Sequence, residues 1–326
     1  MQAAVLSPPS GITLLDVPAP VLGPRQVRIS VRAASANRAD LAQLAGTHQT
    51  PSDDVLIAGL DAAGDVVEVG SEVDAFRVGD RVMALAAGGM AEQVVVEAGM
   101  VVPIPAPWTY VEGAAAVLAL LTEHNALRTA GRLRAGEHVM VHAAASGVGL
   151  VGARVAKQMG AGLILGSVRS DRATDVLARH GVDHVVRADQ DTFSDTVLEL
   201  TDGRGVDLIV DHVGGPYLEE NVRAAAIGAR LVGVGRLGGV RGVLDMETLA
   251  YKRLELIGVT FRTRSVAEKV AVVQAMTTEL DLDDLASSWR PEVWKIAELA
   301  AIGEVHATMA ADAHIGKLVV TVGAGA

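Results

Sequence analysis

From residue 137 to 259, short apolar runs alternate with segments whose apolar residues recur at helical spacing. The runs cover 137–141, 163–167, 184–186, 206–211, 229–234 and 254–259, and the helical segments 147–159, 173–180, 194–201 and 217–226. Runs that are apolar on both faces, interleaved with amphipathic helices, predict a doubly wound parallel sheet of the α/β class. The preceding residues read differently. Alternation at 27–32, further strands at 63–69 and 90–96, and turns at Gly70, Gly79 and Gly88 predict a β-rich region with one short helix at 41–45. A proline-rich connector at 103–107 and two helical pieces within 111–130 lead from one region to the other. Beyond residue 266 the spacing predicts helices near 267–278 and 292–301 and a last strand at 317–322.

The strand at 137–141 runs into His-Ala-Ala-Ala-Ser-Gly-Val-Gly at 142–149 and then into a helix. Ala144, Ser146 and Gly149 stand where a dinucleotide-binding turn carries its glycines. A pyrophosphate can then approach the backbone of Ala145, Ser146, Gly147, Val148 and Gly149 and rest on the partial positive charge of the helix N-terminus. Only the last of the three small residues is glycine, and an ordinary strand-to-helix corner is the alternative reading. Roughly 20 residues further on, an NAD-binding fold places an acid on the ribose hydroxyl. Here the chain reads Ser167-Val-Arg169-Ser-Asp-Arg172. Guanidinium groups in place of a carboxylate favour a 2′-phosphate, and so NADPH over NADH; the alternative is two solvated arginines at a helix start. Gly214 and Gly235-Arg236 fall at the carboxyl ends of predicted strands, where open α/β sheets bind ligands or where strands merely turn.

Composition narrows the partners. Half of the 326 residues are hydrophobic, enough for two cores. A net charge of −11 and 3% aromatic residues disfavour nucleic acid and anionic membrane surfaces, which call for clustered cations and, for single strands, stacking platforms. The absence of cysteine excludes disulfides, thiolate nucleophiles and Cys-ligated zinc, and the nine histidines fall in no metal-ligand spacing. No basic, apolar leader opens the sequence, and the longest apolar run, 113–121, is too short for a bilayer, so a cytoplasmic location without membrane partners is expected.

Longer stretches carry a family resemblance. Asn37-Arg-Ala-Asp-Leu41, Gly59-Leu-Asp-Ala-Ala-Gly64, Val78-Gly-Asp-Arg-Val-Met-Ala84, Pro103-Ile-Pro105, Leu121-Thr122, the 143–149 turn, Gly205-Val-Asp207, Asp211-His-Val-Gly-Gly215 and Ile315-Gly-Lys317 are similar to the zinc-independent quinone oxidoreductases of the medium-chain dehydrogenase/reductase superfamily. The tumour-suppressor-inducible, NADPH-dependent branch is the nearest likeness. The resemblance implies a GroES-like catalytic domain from residues 1–120 and 260–326, a Rossmann NADPH-binding domain from 121–259, and ligands in the cleft between. It implies cofactor contacts from Arg187, Thr260, Phe261 and Lys317 besides the residues named above, and a homodimer paired through the strand at 254–259. Around the nicotinamide it places Asn37, His48 and Thr122, orienting the ring and offering donors to the substrate oxygen. Their structural alternatives are a helix cap at Asn37, a solvated loop at His48 and a backbone bond at Thr122.

Three departures bear on the chemistry. Where zinc-dependent members carry Gly-His-Glu this chain has Gly59-Leu60-Asp61, and leucine is no ligand. His48 replaces a tyrosine, and Arg169 a small residue. The implied activity is metal-free, NADPH-dependent reduction of quinones, with reduction of enone or acrylate double bonds as the alternative. A non-catalytic role such as RNA binding, found among zeta-crystallin relatives, sits poorly with the acidic charge.

Overall fold

The computed structural model describes residues 1–7, 11–46, 55–188 and 192–323. Two compact units emerge: Met1–Leu118 with Arg262–Ala326, and Ala119–Phe261. The chain opens with β1 (Gln2–Ser7), β2 (Gly11–Asp16), β3 (Gln26–Ala36), α1 (Arg38–Leu44), β4 (Asp61–Val69), β5 (Arg81–Leu85), β6 (Gln93–Glu97) and β7 (Val101–Pro103), and enters the second unit along α2 (Tyr110–His124). There follow β8 (His138–Val141), α3 (Gly147–Gln158), β9 (Leu163–Val168), α4 (Thr174–Arg179), β10 (His184–Arg187), α5 (Phe193–Leu200), β11 (Val206–Asp211), α6 (Leu218–Ala224), β12 (Ala225–Gly233), α7 (Met246–Lys252) and β13 (Glu255–Gly258). The first unit is completed by α8 (Val266–Glu279), α9 (Leu282–Ser288), β14 (Val293–Glu298), α10 (Ile302–Ala310) and β15 (Lys317–Thr321).

In the second unit the order β10-β9-β8-β11-β12-β13 is parallel throughout, the doubly wound arrangement expected from the alternating runs. Its register explains why those runs are so uniformly apolar. Leu165, Met140, Ile209 and Leu231 lie side by side on neighbouring strands, and Phe193 and Val197 of α5 join the same buried cluster. Full burial of each such side chain stabilises by roughly 1.5–3 kcal/mol.

The first unit holds a sheet of order β14-β15-β3-β4-β5-β7, with β6 paired to β3, and a separate β1-β2 pair. Both ends of the chain meet in it, because β15 runs antiparallel to β3 with Leu318 opposite Ala36. The expected helix at 292–301 is instead β14, paired in parallel with β15. The β-branched and aromatic residues Val293, Trp294 and Ile296 suit an edge strand, and their apolar spacing mimics a helix face. The expected helix at 217–226 also stops short, at Ala224, where β12 begins. Neither α9 nor α10 was apparent from the spacing.

Candidate functional site

The turn between β8 and α3 is built for close approach. Ala143 is held at φ 51°, a left-handed conformation that costs an L residue roughly 1–2 kcal/mol, and the Ala144 N–H donates to the carbonyl of Ser167 at the end of β9. The Ser146 hydroxyl caps α3 by accepting the Gly149 N–H at 3.0 Å. A methyl group on Gly149 would lie 2.5 Å from the Ala143 carbonyl oxygen, so glycine there lets helix and strand close together. The N–H groups of Gly147 and Val148 lie in the first helical turn, where no intrahelical acceptor exists.

Arginines gather at the carboxyl ends of β9 and β10. Arg169 and Arg172 are exposed, and Arg187 donates to the Arg169 carbonyl at 3.0 Å while pairing with Asp171 at 2.8 Å. The Arg172 Nε–H donates to the Ser170 hydroxyl at 3.3 Å. Cradle and arginines fit a dinucleotide with an additional phosphate. Ser167, expected on the ribose, turns inward: it is 1% exposed and its hydroxyl lies 2.6 Å from His142 Nδ1. His142 Nε2 lies 2.6 Å from Asn221 Oδ1, and Asn221 Nδ2 donates to Asp211 at 3.2 Å. Burial holds the His142 imidazole below its ordinary range, against the pull of Asp211 and Asn221.

Asp211 organises the next loop. Its Oδ1 accepts the N–H groups of Val213 and Gly214, and its carbonyl accepts those of Val234 and Gly235. Gly214 (φ 87°) and Gly235 are both places where a Cβ would strike backbone, 2.7 Å from the Gly239 oxygen and 2.4 Å from the His212 oxygen. Arg236 is exposed beside them, and Thr260 and Phe261 follow β13. Thr122 is half-buried near the end of α2. Next to it Glu123 is fully buried, 2.9 Å from His212 Nε2. Burial opposes charge on His212, but the Glu123 carboxylate outweighs it and raises the imidazole above its ordinary range. Gly152 of α3 makes the room, since a Cβ there would sit 2.4 Å from Glu123 Oε2.

In the first unit, Asn37 is 8% exposed and fully engaged. Its Nδ2 donates to Asp61 at 2.8 Å and to the Ser35 carbonyl at 3.0 Å, while its Oδ1 accepts from Lys317 Nζ at 2.7 Å. The expectation that Asn37 offers a donor to a substrate oxygen is therefore revised: both amide hydrogens are committed inside the fold, and it acts as a fixed wall residue. Lys317, expected on the cofactor, is 4% exposed and belongs to the same network. Burial lowers the Lys317 ammonium and raises the Asp61 carboxyl, which Lys317, Ser35 and Asn37 pull the other way. Asp40 accepts the Asn37 N–H at 2.7 Å, and burial pushes its carboxyl up to about 7. His48 lies outside the described residues.

Leu60, at the position of a zinc-ligating histidine, is followed by an Asp61 already bonded to Ser35 and Asn37, and among the described residues no three His, Asp or Glu side chains converge on a metal position. This donor set does not fit zinc.

Residues 23–106 match the alcohol dehydrogenase GroES-like domain and residues 147–277 the family described as zinc-binding dehydrogenase. A quinone oxidoreductase of Pseudomonas aeruginosa is 32% identical over 327 residues, covering 98% of each chain. The chain belongs to the medium-chain dehydrogenase/reductase superfamily. It is a homologue of quinone oxidoreductases, with a GroES-like unit and a Rossmann unit. The mycobacterial protein Rv1454c, solved complexed with NADPH, is 25% identical with a TM-score of 0.86, covering 98% of this chain and 100% of that one. A phenolphthiocerol/phthiocerol polyketide synthase subunit of Mycobacterium tuberculosis is 35% identical over 211 residues, 65% of this chain. The chain spans about a tenth of the length of the polyketide synthase it matches.

The buried partners Ser35, Asp40, Asp61, Glu123, His142, Asn221 and the inward side of Lys317 gave no signal in the sequence. Each is a polar residue type that usually faces water, and only the packed fold reveals which ones face each other.

Proposed function

We propose that the protein is a zinc-free, NADPH-dependent reductase of quinones and related electron-poor conjugated carbonyls. The arginine cluster at the ends of β9 and β10, beside the cradle of α3, is the observation that carries the cofactor reading. Three guanidinium groups, from Arg169, Arg172 and Arg187, gather where a 2′-phosphate would lie, with the exposed Arg169 and Arg172 able to pair with it. Likeness to a protein solved with NADPH supports the same choice. Ser146, Gly147 and Val148 would hold the pyrophosphate, and Thr122, Gly214, Gly235, Thr260 and Phe261 would border the nicotinamide half. NADPH, when bound, supplies a hydride.

The donor set supports zinc-free chemistry. With leucine at position 60 and no cysteine in the chain, the protein has no strong Lewis acid of its own to polarise an alcohol or aldehyde. Acceptors that need little polarisation are the natural substrates, and the protein's part is orientation and donors at the oxygen that gains charge. The match with a polyketide synthase and the fold shared with the CurK enoyl reductase, at a TM-score of 0.85 and 22% identity, support a second reading, reduction of a carbon–carbon double bond conjugated to a carbonyl.

Following NADPH absorbance with quinones, enones and aldehydes, with and without chelator, tests both. Quinones should drain NADPH fastest and aldehydes not at all, with chelator changing nothing. Preference for enones would select the second reading, and loss of activity on chelation would overturn the zinc-free mechanism.

A further inference from the structure

Reduction by hydride leaves an anion that must gain a proton, and the described residues assigned so far include no titratable group poised to give one. Asn37 has no hydrogen to offer, and Ser167 faces His142. One buried pair has the arrangement of a proton relay. His212 follows Asp211 at the carboxyl end of β11, the end of an open α/β sheet at which ligands bind. Its Nε2 is sealed in the interior, 2.9 Å from Glu123 Oε1, and Glu123 is 0% exposed. The little exposure that His212 keeps, 8% of its side chain, belongs to side-chain atoms other than Nε2. Two features say that the pair is built in. Gly152 leaves the hole that the Glu123 carboxylate fills, and the His212 backbone is fixed by the Leu237 N–H on its carbonyl. Glu123 also directly follows Thr122, a residue of the proposed nicotinamide half.

We propose that His212, oriented by Glu123, delivers from Nδ1 the proton that completes the reduction. The inference rests on the reductase reading above. In the step, the Nδ1–H bond breaks and a bond forms from that proton to the reduced substrate, whose electron pair came with the hydride. The neutral imidazole then regains a proton from water. Glu123 is a positioning residue: it fixes the ring and stabilises the imidazolium without meeting the substrate. The charged and titratable groups around His212 are Glu123 from α2, Asp211 at the end of the preceding strand β11 and His142 just after β8.

Two curves compared on the unmodified protein test this without any variant. The imidazole of His212 is titrated by nitrogen NMR in the protein saturated with NADP+, and kcat with NADPH and a quinone is measured across the same pH range. Titration above the ordinary histidine range is expected, with kcat falling as pH rises along the same curve. Glu123→Gln should move both curves downward together, and His212→Gln should lower kcat roughly a hundredfold and erase the descent while KM for NADPH stays within about twofold. His48→Phe should leave the descent in place. A kcat descent that ignores the His212 titration, or one erased by His48→Phe and kept by His212→Gln, overturns the proposal. Absence of NADPH oxidation with every acceptor would instead bring down the reductase reading, while the NMR titration would still report the pair.

Discussion

Arg172 reaches out from the end of β9 and donates only a long bond to the neutral Ser170 hydroxyl, whereas Arg187 is already paired with the Asp171 carboxylate. Arg172 thus has more to gain from a phosphate than Arg187. A charged hydrogen bond is worth about 1.5–3 kcal/mol, so Arg172→Ala should weaken NADPH about tenfold or more and leave NADH nearly unchanged. Equal Kd values for NADPH before and after the substitution would refute the assignment. Asp40 leads to a prediction about stability. Its folded carboxyl sits at about 7, against 3.8 for an unhindered aspartate, so between those values the unfolded chain releases a proton that the folded one keeps. Its contribution is fully present below about pH 4 and is lost as pH rises from there through about 7, falling by roughly 1.4 kcal/mol for each pH step of one in between. Asp40→Asn should flatten that decline in urea unfolding midpoints measured from pH 4 to 8. The arginines were legible in the sequence because an exposed charge at a strand end acts by its position along the chain. Asp40 and Asp61 were not, because their meaning lies in Lys317, hundreds of residues away and adjacent only after β15 has paired with β3.

Among the elements, α3 was the easiest to read, because strand, turn and helix are contiguous and their residues answer one another locally. It comes closest to the backbone of the preceding turn at Gly149. An alanine there would press its methyl group against the Ala143 carbonyl and the Ala144 Cα, in a turn already held at positive φ. Gly149→Ala should cost roughly 1–3 kcal/mol in unfolding free energy and weaken NADPH binding, as the helix end is pushed off the strand. Unchanged thermal midpoint and cofactor affinity would show that the turn has slack. The contrary case is β14, where a pattern read as helix proved to be strand. A six-residue edge strand has one neighbour and mostly exposed side chains, so the sheet imposes little period on its sequence. What fixes it as a strand is the ladder to β15, which no local window contains.

For the molecule as a whole, the alternating centre and β-rich start were readable because each rests on repetition. The return of the chain end into the first sheet came from family likeness, since pairing of β15 with β3 joins segments about as far apart as the chain allows. Dimerisation also belongs to this scale. We propose that two copies pair through β13, the edge of the parallel sheet, where Leu256 is 42% exposed. The Val259 N–H points to Gly233 on β12, so alternation turns the N–H groups of Leu256 and Gly258 outward. Leu256→Pro should therefore convert a dimer mass, measured by light scattering at micromolar concentration, to that of a monomer without unfolding the chain. A monomer mass for the unmodified protein would rule the pairing out.

The hole at Gly152 also constrains which substitutions can follow one another. A Cβ at 152 would sit 2.4 Å from Glu123 Oε2, so a side chain there requires the buried carboxylate to move. Loss of the carboxylate would leave His212 buried beside a void, which a larger residue at 152 could then fill. Changes at 152 and 123 are thus coupled, and a larger residue at 152 is better tolerated once the side chain at 123 has been shortened.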